Sequence, residues 1–282
     1  MGKQAMTQQA SRKQQQAKTR DAYKKAIRQR QSFTMPQTDK KIVVSLGHNS
    51  ASAGRLSKQF SPREQWHEIR VDTHESVEPD VKSELWAIGD IPDASVDAVW
   101  VGYILQRFTF QQARSIVQEV MRMMKDGAEL LVAVPDLQMA ATYIARDEAD
   151  MEMYHSPAGM VTPPDMLFGF RQFTDKGDMV HAHKSGYTST MLSDMLRELG
   201  VCNMKMKRNR FNLVALGMKL PYGHPDRVDR VLMMREDTDK HPAMPDAPAQ
   251  HASSGAAPVR YADKLDVAPQ LWKPLGLKKD HC

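Results

Sequence analysis

Six residues in this chain stand where their chemistry could be used. Asp72 closes a strand-like run, Glu68 to Val71, where a carboxylate can accept hydrogen bonds from ribose hydroxyls. Gly47 ends an earlier run, Ile42-Val43-Val44, and lacks the Cβ that would keep a ligand from the backbone. Together they describe a nucleoside-binding geometry. Asp136 follows another strand-like run and reads either as a general base or as the cap of the next helix. Tyr103 reads either as the wall of a site or as a core aromatic. His181 and His183 stand two apart, as a metal pair would, but no third ligand lies at a useful spacing, so no metal is expected. His183, beside Lys184, is the better candidate for a proton acceptor or a substrate contact.

The elements that must position these groups follow from the pattern. Unbroken β-branched runs mark strands buried on both faces of a parallel sheet. Strand-like runs occur at 42–46, 68–71, 96–103 and 129–134, and 85–88 reads as a short strand or an ordered loop. Ala113, Ile116, Val117, Val120, Met123 and Met124 recur at helical spacing, and Gly127 reads as the cap of that helix. Thr188 caps a second helix, whose face is Met191, Leu192, Met195, Leu196 and Leu199. Val201 to Lys207 and Phe211 to Met218 then form an antiparallel hairpin. The alternation predicts an α/β fold: a doubly wound, mostly parallel seven-stranded sheet with a terminal antiparallel hairpin. In such sheets ligands sit at the carboxyl ends of the strands.

Three parts are expected. Residues 1–38 hold nine Lys or Arg against one acid, Asp21, a net +8 that leaves the rest of the +5 chain at −3. That stretch reads as a disordered basic tail, and any contact with nucleic acid or an acidic surface is expected through it alone. Residues 39–220 form the α/β domain, with an insertion at 137–187 rich in Pro, Gly and aromatics that would wall a substrate site. Residues 221–282 read as low-complexity linker and tail, and the Trp272 segment could bind a protein partner. No apolar run is long enough to span a membrane. Cys202 and Cys282 make no disulfide framework, which fits a cytoplasmic setting.

The stretch IPDASVDAVWVGYILQRF, a helix, and then MMKDGAELLVAVPDL resembles a segment of the class I S-adenosylmethionine-dependent methyltransferase family. In small bacterial members the wording is roughly P-D-G-S-V-D-A-V-W-S-S-H-x-L-E-H-L, then R-V-L-K-P-G-G. YHSPAGMVTPPDMLFGFR and HAHKSGYT are similar to that subgroup's insertion, so the resemblance covers about residues 40 to 219. It implies S-adenosylmethionine as cofactor. The first loop, Gly47, His48 and Asn49, would hold its methionine part, and Asp72 with Thr73 its ribose. Trp86, Ala87 and Ile88 would flank adenine, and Gly102 and Tyr103 would face the transferred methyl group. Two positions depart from the pattern. His48 and Asn49 follow Gly47 where the family has Gly-x-Gly, and Tyr103, Gln106 and Arg107 stand for its His, Glu and His. The implied activity is methyl transfer to an oxygen or nitrogen of a small-molecule or glycan-type acceptor. The alternative is a binding or scaffold protein that keeps the fold without the reaction. A nucleic-acid methyltransferase is weaker, since no Asn-Pro-Pro-Tyr-type motif is present.

Overall fold

The computed structural model describes residues 33–47, 60–156 and 159–233. Both tails, the loop that holds His48 and Asn49, and Trp272 lie outside the described residues.

One eight-stranded sheet carries the fold. Its strands are β1 (Lys41–Leu46), β2 (Trp66–Asp72), β3 (Val81–Lys82), β4 (Val96–Gly102), β5 (Met124–Pro135), β8 (Val201–Asn209), β9 (Asn212–Lys219) and β10 (Leu232–Met233). The order across the sheet is β10-β8-β9-β5-β4-β1-β2-β3. β1 to β5 run parallel, and β9 enters antiparallel between β5 and β8. Five parallel strands closed by a hairpin are what the sequence predicts. The eighth strand is new: β10 pairs with the outer edge of β8.

β1 is buried from Ile42 to Leu46, because strands lie on both sides of it and protein covers both faces. One face packs under helix α1 (Phe110–Met123) and helix α5 (Ser189–Glu198). Thr109 opens α1 with a capping box to Gln112, and Thr188 accepts a hydrogen bond from Met191 N at the start of α5. Met191, read as part of the α5 apolar face, is exposed instead.

One local reading is decided and another changes. Of the two readings of residues 85–88, the ordered loop holds; the third strand is the two-residue β3. Ala87 N donates to Glu84 O and the Ser83 hydroxyl to Ala87 O, which folds the apolar run into a buried turn. Gly127 does not cap α1. The helix stops at Met123, β5 begins at once, and Gly127 (φ 82°) lies where the β4–β5 register slips. The extra residues form a bulge, and glycine takes the left-handed backbone there at little steric cost.

The insertion has structure of its own. It contains helices α2 (Leu137–Ala145), α3 (Pro163–Phe168) and α4 (Arg171–Thr174), and a hairpin of β6 (Tyr154–Ser156) and β7 (Gly159–Val161). Ala140, Met153, Val161 and Met166 give it a small apolar core, with Tyr154 stacked on Phe211 of the β8–β9 turn. Asp136 anchors it. This carboxylate is fully buried, accepts from Gln138 N and Met139 N at the start of α2, and pairs with Arg208 of β8. Beyond 220 the chain stays attached to the sheet. Asn203 Oδ1 accepts from Val228 N at 2.6 Å, and Asn203 Nδ2 donates to Asp226 O.

Removing one partner of a buried pair leaves the other charge without its counterion. Asp136→Ala is expected to lower unfolding free energy by about 3 kcal/mol in urea titration. Glu198→Ala, which breaks the exposed Arg114 pair, is expected to cost under about 1 kcal/mol.

Candidate functional site

The strand order reverses between β1 and β4: the chain winds outward through β2 and β3, then returns to the other side of β1. At such a switch point the loops part and leave a crevice at the carboxyl ends of the strands. Gly47 follows β1, Asp72 ends β2, Gly102 and Tyr103 lie at the end of β4, and Pro135 ends β5.

Asp72 is buried. Its Oδ1 accepts from His74 N at 2.9 Å and lies 3.5 Å from the Thr73 hydroxyl. Its Oδ2 accepts no hydrogen bond among the described residues. Among the described residues it is not one of the fully buried atoms without a partner, and the Arg107 guanidinium lies near enough to feel the carboxylate's charge. Thr73 thus supports the carboxylate and leaves one oxygen for a ligand.

The glycines answer first to the chain itself. Gly47 has φ 66°, and a Cβ there would fall 2.5 Å from Ile104 Cδ1. A Cβ on Gly102 would strike the Trp100 indole. The close approach expected of a ligand is therefore made at these positions by neighbouring side chains. The adenine wall is also altered. Ala87 and Ile88 are 1% and 0% exposed, and Trp86 packs edge-on against Phe108. Of the three, only Trp86 keeps surface at the site.

Tyr103 holds a left-handed backbone (φ 54°), unusual for a bulky residue, with its N–H bonded to Ala133 O. The residue as a whole is 37% exposed, while burial around the hydroxyl pushes the phenol up to about 12. The phenol is therefore neutral near pH 7 and poorly suited to act as a base. Asp136 is withdrawn from chemistry as well, since both its oxygens are engaged in the cap and the Arg208 pair.

His183 is placed differently. Its Nδ1 lies 3.0 Å from Met166 O. A carbonyl can only accept, so Nδ1 bears the proton and Nε2 keeps its lone pair. Burial, then the nearby Arg107 and His181, press its pKa down to about 4. His181 does not share its site: it pairs with Asp178 and stacks on Phe173. No group of three ligating side chains suited to a metal occurs among the described residues.

His183 lines a cavity of about 290 Å³ with Gln106, Pro135, Leu137, Met166, Leu167, Phe168 and Lys184 to Gly186. The turn Leu105–Arg107 builds its floor, where Gln106 O accepts from both Lys184 N and Ser185 N. Gln106 and Arg107 entered the sequence reading only as departures from a motif. Here Gln106 is 4% exposed, and its Oε1 and Arg107 Nε have no hydrogen-bond partner among the described residues. Burial lowers the guanidinium pKa of Arg107, opposed by the charges of Asp72 and Asp178. The sequence signal for this was available: two polar side chains next to each other just after a buried strand.

Among known proteins, no family model matches the chain and no curated protein does. Solved structures are similar to it. A SAM-dependent methyltransferase from Archaeoglobus fulgidus is 13% identical, with 64% of this chain and 87% of that one covered and a TM-score of 0.45. One from Methanosarcina mazei is 13% identical over 65% and 94%, at 0.43. A Burkholderia thailandensis 1,6-didemethyltoxoflavin-N1-methyltransferase with bound S-adenosylhomocysteine is 11% identical over 64% and 72%, at 0.39. Identities this low say nothing of activity.

A histidine whose folded pKa lies below its unfolded value of 6.5 binds its proton more readily when the chain unfolds. Its contribution to stability is therefore full above pH 6.5 and is lost as pH falls toward 4. His183→Gln is expected to remove up to about 3 kcal/mol of that acid-side loss, measured as unfolding free energy between pH 7 and 4.

Proposed function

We propose that this protein is an S-adenosylmethionine-dependent methyltransferase acting on an oxygen or nitrogen of a small molecule. The observation that carries this reading is Oδ2 of Asp72 at the end of β2, which accepts no hydrogen bond among the described residues. Adenosine offers vicinal hydroxyls that would satisfy it. Trp86 and Thr73 would complete the nucleoside side, and Gly47 would open the first loop. His48 and Asn49 in that loop remain the proposed partners of the amino-acid part.

When bound, the sulfonium cofactor supplies both the methyl group and its own leaving group. The protein then has three tasks. It holds the acceptor in line, which contributes most of the rate through positioning. Tyr103 and the insertion exclude water. His183 Nε2 receives the proton that the acceptor loses. With a pKa near 4 it is a weak base, adequate for a proton made strongly acidic as the methyl group arrives, and inadequate for deprotonating a free alcohol beforehand.

A cytoplasmic location belongs to the same proposal. No helix among the described residues is long and apolar enough to cross a membrane. The second reading, a binding or scaffold module, is favoured by burial of Ala87 and Ile88, which narrows the nucleoside wall. The partners it would use, nucleic acid or an acidic surface at the basic tail and a protein at the Trp272 segment, follow from sequence alone.

Calorimetric titration with S-adenosylhomocysteine separates the two. Micromolar binding is expected, weakened about 100-fold or more by Asp72→Ala as a charge-assisted hydrogen-bond pair is lost. Absence of binding at millimolar ligand by the folded parent protein would sink the enzyme reading.

A further inference from the structure

The turn that floors the cavity also carries a cation for which the fold supplies no partner. Arg107 follows Gln106, whose main-chain oxygen accepts from Lys184 N and Ser185 N. Its guanidinium makes no ion pair and no hydrogen bond among the described residues. Nε is sealed from solvent and cannot meet a ligand, but the two Nη atoms are not among the sealed atoms. They are donors with neither a protein partner nor a barrier in front of them. His183 Nε2 is open in the same way, since its ring is tied only through Nδ1 to Met166 O. Gln106 Oε1 is closed off and takes no part in recognition. The Ser185 hydroxyl is engaged with Leu105 O and Tyr187 Oη.

Two carboxylates lie within the field of this guanidinium, Asp72 and Asp178. Neither is in contact with it. Asp72 Oδ1 accepts from His74 N, and Asp178 pairs with His181. Acids at that remove soften the cost of burying the cation but leave its donors unmade. The Arg107 pKa is accordingly lowered, with burial the largest cause. The exposed Lys184 ammonium, on the cavity wall, has no ion pair among the described residues either, and no carboxylate lines the cavity.

These charges select a ligand. An ammonium compound would meet two cations. A neutral one would leave the Nη donors without a charged partner. A carboxylate offers the paired oxygens that a guanidinium fork matches, and its hydrogen bonds are charge-assisted. A doubly charged group such as a phosphate monoester is less suited, because Asp72 and Asp178 oppose the second charge. A volume of about 290 Å³ with apolar walls at Pro135, Leu137, Met166 and Leu167 fits one small ring or a short chain.

We propose that the acceptor is a small monocarboxylate, held through its carboxylate by the Nη atoms of Arg107, with Lys184 adding a second cation at the cavity wall. Arg107 is then a specificity-determining residue. The word acceptor rests on the methyltransferase reading; the carboxylate preference stands on Arg107, Lys184 and the cavity.

The test titrates the full chain, without cofactor, by ligand-observed NMR with benzoate, benzamide and benzylamine. Benzoate is expected to bind about tenfold or more tightly than benzamide, which keeps the shape and lacks the charge. Benzylammonium is expected to be the weakest. Arg107→Gln should bring the benzoate-to-benzamide ratio toward one, Arg107→Lys should keep part of it, and Lys184→Gln should lower it by less, since that ammonium is exposed. Thermal melts report that each variant folds. Equal binding of benzoate and benzamide by the parent protein would overturn the proposal. So would preference for benzylammonium, no binding of any probe at millimolar concentration, or an unchanged ratio in folded Arg107→Gln. If Arg107→Gln fails to fold, the three-probe comparison on the parent protein and Lys184→Gln decides. The cofactor's own carboxylate is the other source of the same chemistry. Arg107→Gln would then weaken S-adenosylhomocysteine and spare methylthioadenosine, which lacks the amino-acid end, and the parent protein would show no benzoate preference; that result overturns the acceptor assignment. S-adenosylhomocysteine binding without benzoate preference rejects this inference and keeps the enzyme reading. Benzoate preference without S-adenosylhomocysteine binding does the reverse.

Discussion

Asp136 is a carboxylate with no exposure to water, and much of the molecule meets at it. Its side chain caps α2 and neutralises Arg208, while its backbone N–H bonds to Phe211 O across the β8–β9 turn. It also forms a parallel bridge with Tyr187, and Leu137 N donates to Tyr187 O. The first and last residues of the insertion are thus fastened to one point at the end of β5. A charge in that position is tolerable only while every oxygen is engaged, which makes the junction all-or-none.

The cavity exists because of that junction. Pro135 and Leu137 flank Asp136 on one side, and Lys184 to Gly186 return beside them on the other. The turn after β4 then rises to meet the returning strand, since Gln106 O takes both Lys184 N and Ser185 N. With its main-chain oxygen and amide nitrogen employed in structure, Gln106 has one group left over. His183 is in the same condition, tied at one nitrogen and open at the other. Among the described residues these unengaged polar atoms are the remainder after the fold has satisfied itself, and Oδ2 of Asp72 follows the same rule.

The sheet was largely legible in the sequence because buried parallel strands are written as unbroken β-branched runs, and Val43, Val99 and Val132 could hardly be elsewhere. The apolar run at 85–88 leaves strand and loop undecided for a physical reason. Hydrophobicity reports burial and not conformation, and a turn stitched by Ser83 and Glu84 buries Ala87 and Ile88 as well as a strand would. Gly127 misleads because a bulge and a helix cap ask the same backbone of glycine. Asp136 offered two readings, base or cap, and Arg208, 72 residues later in the chain, decides between them. Spacing cannot show such a partner. Gln106 and Arg107 were visible as departures, but which of their atoms go unsatisfied depends on Tyr103 O and on the insertion, both set by tertiary structure.

β10 is two residues long, yet it changes how the molecule ends. Without it β8 would be an open edge of nine residues, and an open edge is a template for another chain's strand. Asn203 fastens the covering segment through Val228 and Asp226, and Arg227 adds a bond to Leu220 O. Lys205 and Lys207 on the same strand make the edge less welcoming still. A chain cut at residue 220, where the alternating pattern ends, would keep every strand of the parallel sheet and lose this guard. Such a protein would fold around an intact core and still tend to stick to its own copies, so the segment after the hairpin acts as solubility insurance for the fold.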